Sequence, residues 1–249
     1  MDQQTARELR RVRAYLLCAS IAAGALTLTA YRQGAQKTRF AEIDVERINV
    51  LEKDGKLRLT ISNSTRVPDP IIGGKSYPLR GGTGAGSAGM IFFNDEGNEN
   101  GGLLYAGRAT PTGHRASGHL TLDQFDQDEA VAFSYSDVDG RRRAGLTFTD
   151  RANVSIQAFA ESAMVIQRLP DGAEKTRRLA LLRDSPAAAG AASMMRLFVG
   201  RTPDHAASLM LADPAGRPRL RLTVDSLGTP AVDFLDETGA TVRHYPPPR

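Results

Sequence analysis

From Phe40 onward, apolar residues recur at every second position in short runs, not at the three-to-four spacing of a helix. Ile43 and Val45 alternate with acids. Ile48, Val50 and Leu51 lead into Lys53-Asp54-Gly55-Lys56, and Leu57, Leu59 and Ile61 resume the alternation. Asp-Gly between two such runs predicts a β-hairpin, because both turn positions need φ > 0 and these residues tolerate it. The device recurs between Val131-x-Phe133-x-Tyr135 and Leu146-x-Phe148, through Asp139-Gly140. It recurs again between Val165-Ile166 and Leu179, Leu181 and Leu182, through Asp171-Gly172. Nearer the C-terminus the turns become Asp213 to Gly216, Asp225 to Gly228 and Asp236 to Gly239, with aspartates 12 and 11 residues apart. That spacing suits a meander of short strands. The expected fold is all-β, with antiparallel hairpins in one or two packed sheets.

Two stretches interrupt the pattern. Residues 63–89 form a long Gly- and Pro-rich loop, a kind that is often functional. Residues 185–193 form an Ala/Gly spacer. It divides a main β domain, 40–184, from a C-terminal meander, 194–244, that continues the same sheet system or stands beside it. Leu104-Tyr105-Ala106-Gly107-Arg108 resembles Leu197-Phe198-Val199-Gly200-Arg201, which suggests a duplicated sheet unit. Pro246-Pro247-Pro248 reads as an extended tail.

Ahead of the strands, residues 14–31 carry no charge, and Arg10, Arg11 and Arg13 stand directly before them. Eighteen residues span about 27 Å as a helix, enough for a thin hydrocarbon core. The expectation is one N-terminal transmembrane helix, a retained signal anchor after a short basic tail, 1–13. The tail is expected in the cytoplasm and the β domain in the periplasm or outside the cell. The competing reading is a cleaved signal peptide ending at Ala30, against which Leu28 is a poor match. Cys18, the single cysteine, lies within this run, so the β region can form neither a disulfide nor a Cys-based zinc site.

Charge narrows the partners. The net charge of +4 is shared evenly, because four Arg against Asp2 and Glu8 give the first 31 residues +2. The β region mixes both signs, and Arg141-Arg142-Arg143 is its one tight basic cluster. A nucleic-acid surface needs more clustering, so no nucleic-acid partner is expected.

Motifs of known chemistry fail on context. Gly74-Lys75-Ser76 lacks the upstream glycine of a P-loop, since position 69 is Asp, and Pro78 forbids the helix that must follow. Gly84-Ala85-Gly86-Ser87-Ala88-Gly89 has dinucleotide-fingerprint spacing but opens a strand instead of a helix. Its Ser87 fails as a nucleophile elbow for the same reason. The four histidines have no metal-ligand spacing. No catalytic residue, cofactor or metal ligand is therefore assigned. Two acidic stretches remain, Asn94 to Gly102 and Asp123 to Glu129. Asn, Asp and Gly are ordinary turn residues, yet polar turns on a rigid sheet also carry function. The interaction candidates are Asp95, Glu96, Asn98, Glu99, Asp126 and Asp128.

The run Glu46-Arg47-Ile48-Asn49-Val50-Leu51-Glu52-Lys53-Asp54-Gly55, then Gly89 to Gly97 and Leu122-Asp123-Gln124-Phe125, resembles a family of uncharacterised bacterial proteins with an N-terminal hydrophobic segment. The resemblance covers most of 40–240. It implies a shared β fold and a bacterial source, and supplies no activity or site residues. The expected function is a non-enzymatic, single-pass envelope protein that binds a partner or serves structurally. The alternative is an envelope hydrolase using Asp95, Glu96, Glu99, Asp126 or Asp128. A third reading is self-assembly through exposed sheet edges.

Overall fold

A computed structural model describes residues 3–33, 39–78 and 86–246, with side chains of 3–6 and 27–33 outside the description. The chain forms two compact units, Met1–Asp44 and Val45–Arg249. The first holds helix α1 (Gln3–Gln33), which takes in the whole uncharged run. Among the described residues no helix is long and apolar enough to cross a membrane. Leu28 and the Ala30 cleavage position lie outside the residues with described side chains, as do Gly84 and Ala85 of the glycine motif and the end of the proline tail.

The second unit is a meander. In chain order its strands are β1 (Arg47–Leu51), β2 (Leu57–Ser62), β3 (Ile71–Ile72), β4 (Lys75–Ser76), β5 (Ala88–Phe93), β6 (Glu99–Thr110), β7 (Gly113–Asp123), β8 (Glu129–Val138) and β9 (Arg141–Arg151). Helices α2 (Gln157–Gln167) and α3 (Ala173–Arg183) and a 3-10 turn at Pro186–Ala191 follow. Then come β10 (Ser193–Arg201), β11 (Ala207–Ala212), β12 (Pro218–Val224), β13 (Pro230–Leu235) and β14 (Thr241–Tyr245). Twelve of the strands make one antiparallel sheet in sequence order, with β1 and β14 at its edges. Strands β3 and β4 form a separate hairpin. The spacer 185–193 does not interrupt the sheet, because β9 pairs directly with β10.

Six connections share one plan. The first residue's N–H donates to the carbonyl four residues on, and the fourth residue, with φ > 0, donates back to the first. They begin at Glu52, Asn94, Thr202, Asp213, Asp225 and Asp236. In the last three and at Asn94, the side-chain Oδ1 accepts from the backbone N–H groups two and four residues on, at 2.8–3.1 Å. A short side-chain acceptor at that position satisfies donors that the turn would otherwise leave open. At Asp139-Gly140 both turn residues do have φ > 0, 54° and 86°, and the loop is two residues long. Asp54-Gly55 differs from expectation, because only Gly55 has φ > 0 and the turn belongs to the wider plan.

Two expectations are corrected. Residues 157–183 are a helical hairpin, not a β-hairpin. Ala158, Ala160 and Ala163 recur through α2, and α3 is built, Thr176 apart, from Ala, Glu, Lys, Arg and Leu, all strong helix formers. Glu174 also pairs with Arg177 and Arg178 one turn on. The fold is otherwise the expected antiparallel β meander, mostly β with this helical hairpin inserted between β9 and β10. The second correction concerns the pentapeptide repeat. Leu104 lies on the sheet face of His119, Ser134, Gly145 and Gly200, whereas Leu197 lies on the opposite face, so the resemblance is not a structural repeat.

One face of the sheet is partly covered. Val67 and Ile71, from the segment after β2, pack on Ile91 and Phe93. Tyr77 is fully buried, and its hydroxyl donates to Glu161 of α2 at 3.4 Å, beside the 2.8 Å Lys75–Glu161 ion pair. Gln127, also buried, donates through Nε2 to the carbonyls of Val154 and Gly190, tying the β7–β8 turn to the segments flanking the helices.

Candidate functional site

The six interaction candidates do not form one patch. Asp95 and Glu96 stand at the exposed tip of the β5–β6 turn, where Asp95 pairs with Arg58 at 2.5 Å. Asn98 is buried, and its Oδ1 accepts from the Gly74 N–H at 2.8 Å, pinning the β3–β4 hairpin to the sheet. A side chain held in this way presents no contact surface. Replacing Asn98 by Ala is expected to cost about 1 kcal/mol by losing that bond, to be measured by urea unfolding at constant m-value. Asp126 has φ 54° in the β7–β8 turn.

Glu99 and Asp128 do come together, in a group that the sequence alone did not assemble. His119, Thr121 and Asp123 alternate along β7 and so share a face, the partly covered one. His119 Nε2 lies 2.6 Å from Glu129 Oε1, and its Nδ1 lies 3.0 Å from Ser134 Oγ. Arg151 donates from Nε to the Glu129 carbonyl at 2.8 Å and stands 3.6 Å from Asp128. The hydrogen bond with Glu129 raises the His119 pKa against the effect of burial. Burial, reinforced by Glu99, Asp128 and Glu129, pushes Asp123 up to about 7, with Arg151 opposing. Asp123 Oδ1 is buried without a hydrogen-bond partner.

This constellation has acid–base character, but the cleft it lines has a volume of about 40 Å³. That is room for a water or two, far below the roughly 300 Å³ at which small-molecule sites begin. Among the described residues no group of His, Cys, Asp and Glu is arranged to hold a metal ion. The other histidines make local contacts, His205 with Arg201 at 2.8 Å and the remaining two with carboxylates. His114 lies 3.1 Å from Asp137, and His244 lies 2.7 Å from Asp233. The triple-Arg cluster is likewise engaged. Arg142 holds Asp137 down at about 2, and Arg143 stacks 4.7 Å over the Phe198 ring.

The larger feature is the other face of the sheet. Directly paired residues of neighbouring antiparallel strands share a face. Following the pairs from edge to edge gives Ile48, Ile61, Met90, Leu103, Leu120, Phe133, Leu146, Val199, Leu209, Leu222, Val232 and Tyr245. One apolar residue from each of the twelve strands stands in that row. A parallel row adds Leu122, Val131, Phe148, Leu197, Leu211, Leu220 and Phe234. The matching row on the covered face reads Asn49, Thr60, Ile91, Gly102, Thr121, Ala132, Thr147, Phe198, Met210, Arg221, Asp233 and His244.

Thus, among the described residues of the second unit, the more polar face carries the small covered core and the greasier face is open. Leu120 is 40% exposed, Phe133 56%, Leu222 40% and Phe234 43%. Charges gather at its margins, with His114, Asp137, Arg142 and Arg201 along one side and Asp150 and Arg243 along the other. Toward β14 the sheet curves into a groove of about 660 Å³ lined by Val199, Leu209, Leu222, Val232 and Tyr245. A soluble monomer rarely exposes a contiguous apolar patch of more than a few hundred Å² without using it. In comparisons with known proteins, no family model, curated protein or solved structure matches the chain.

Proposed function

We propose that the protein is a non-enzymatic binding or structural module of the bacterial cell envelope. In this reading the uncharged run within α1 anchors it in the membrane, and the apolar face of the meander is its working surface. The carrying observation is the unbroken apolar row across all twelve strands on the uncovered face. It displaces the acidic turns as the favoured contact surface, because Asn94 holds its own turn's backbone, Asn98 pins the β3–β4 hairpin, and Gln127 ties the other turn to the segments flanking the helices.

A photo-crosslinking residue placed at Leu120, in full-length protein in cells, is expected to yield one discrete adduct. The same residue at Ser136, exposed on the opposite face, is expected to yield none. Equal labelling at both positions, or none at Leu120, would remove the apolar face as the working surface.

The hydrolase reading has one observation in its favour, the convergence of Asp123, Glu99, Asp128 and Glu129 beside His119. In that reading Asp123, protonated near neutrality, is the general acid. The test is turnover of ester, amide and glycoside substrates by wild type and Asp123→Asn. Activity lost in the variant would establish it.

A further inference from the structure

We propose that the partner on the apolar face is a second copy of this chain, packed sheet against sheet about a two-fold axis. The inference rests on the apolar face being the working surface and names what covers it. Three properties of the face carry it.

The first is extent. Twelve strands at about 4.8 Å spacing, with the two rows and a shorter third one through Tyr105, Tyr135, Ala144, Ala207 and Val224 spanning some 17 Å, present roughly 1,000 Å² per copy. That exceeds the about 800 Å² per partner that specific interfaces bury. A small ligand in the groove near β14 would leave the row from Ile48 to Leu146 bare. Pairing through the β1 or β14 edge would leave the whole face bare.

The second is layout. The centre is Leu, Val, Ile and Phe, and the charges stand at the margins in both signs, the apolar core and polar rim of protein interfaces. A lipid surface would call for Trp and a basic rim. The chain has no Trp, and Asp137 and Asp150 interrupt the basic residues. The third is shape. Sheets pack about 10 Å apart when their twists match, and two copies of one sheet have the same twist.

The test uses the full-length chain in mild detergent, with Cys18→Ser to clear the background. Sedimentation is expected to give a dimer, and Leu120→Arg with Leu222→Arg is expected to halve the mass while leaving the circular dichroism spectrum intact. Both side chains are already exposed, so the folded chain loses little by the change. Independently, Phe133→Cys, on a central strand, is expected to link two chains through a short bismaleimide, and Ser136→Cys on the other face is not. A dimer unaffected by the double substitution, or equal linking at both positions, overturns the proposal. A monomeric wild type that still forms the Leu120 adduct overturns the second copy but leaves the face as working surface. A monomer without that adduct removes both.

Discussion

Gly89→Ala is expected to destabilise the sheet by about 3 kcal/mol, a large part of the roughly 5–15 kcal/mol that holds a domain together. Two independent terms add. Gly89 adopts φ +151°, a conformation that side chains rarely take, costing about 1–3 kcal/mol for any other residue. A Cβ there would also overlap the Leu103 carbonyl oxygen across the β5–β6 pair. That atom is backbone, so relief requires the strands to part, an overpacking cost of about 1–3 kcal/mol. Gly107 on β6 is the control, with nothing within 4 Å of its would-be Cβ and no positive φ. Gly107→Ala is expected to be neutral or slightly stabilising, because it narrows the unfolded ensemble. Urea denaturation of both variants decides the matter. Equal effects would mean that Gly89 is free to take the change.

The same glycine shows what the sequence could and could not disclose. Gly89 ends a run with dinucleotide-fingerprint spacing, and context alone argued against that reading. The structure gives its actual use, close approach inside a strand pair. Turns were legible because their cause is local, as with Asp225 and Asp236, whose side chains satisfy their own loops. Alternation was legible for the same reason.

The helical hairpin was not legible. Val165-Ile166 and Leu179 to Leu182 flank Asp171-Gly172 as strands would, and only the propensities of the Ala, Glu, Lys and Arg between them say otherwise. The apolar face was hidden for a deeper reason. Each strand by itself reads as half-buried, and which half is covered depends on register across twelve strands, a non-local property. His119-x-Thr121-x-Asp123 was the available signal for the polar cleft, three polar residues in one phase against Leu120 and Leu122 in the other.

Asp123→Asn is expected to stabilise the protein by about 2 kcal/mol at pH 8 and to leave it unchanged at pH 4. In the unfolded chain an aspartate titrates near 3.9. In the fold, burial and three neighbouring carboxylates push Asp123 up to about 7. Below about pH 4 the group is protonated in both states and costs nothing. Between about 4 and 7 the unfolded chain gives up its proton first, so stability falls as pH rises, and above 7 the loss is complete. A shift of about three units corresponds to roughly 4 kcal/mol at most, and solvent screening of a partly accessible group reduces it to about half. Asparagine keeps the shape and cannot ionise, so its variant lacks this slope.

His119 contributes in the same direction. Its pKa is raised by Glu129, so its pairing stabilises below about 6.5 and is lost as pH rises through the folded value. The wild type should therefore lose stability from pH 5 to pH 8, and Asp123→Asn should flatten most of that loss. Chemical denaturation at pH 4, 6 and 8 measures it, and parallel slopes for the two proteins would sink the assignment. A carboxylate whose removal strengthens the fold is one kept at a cost. If the variant is stabler and still dimeric, that cost lies outside the apolar face, and the polar cleft becomes the place to look for what the proton on Asp123 does.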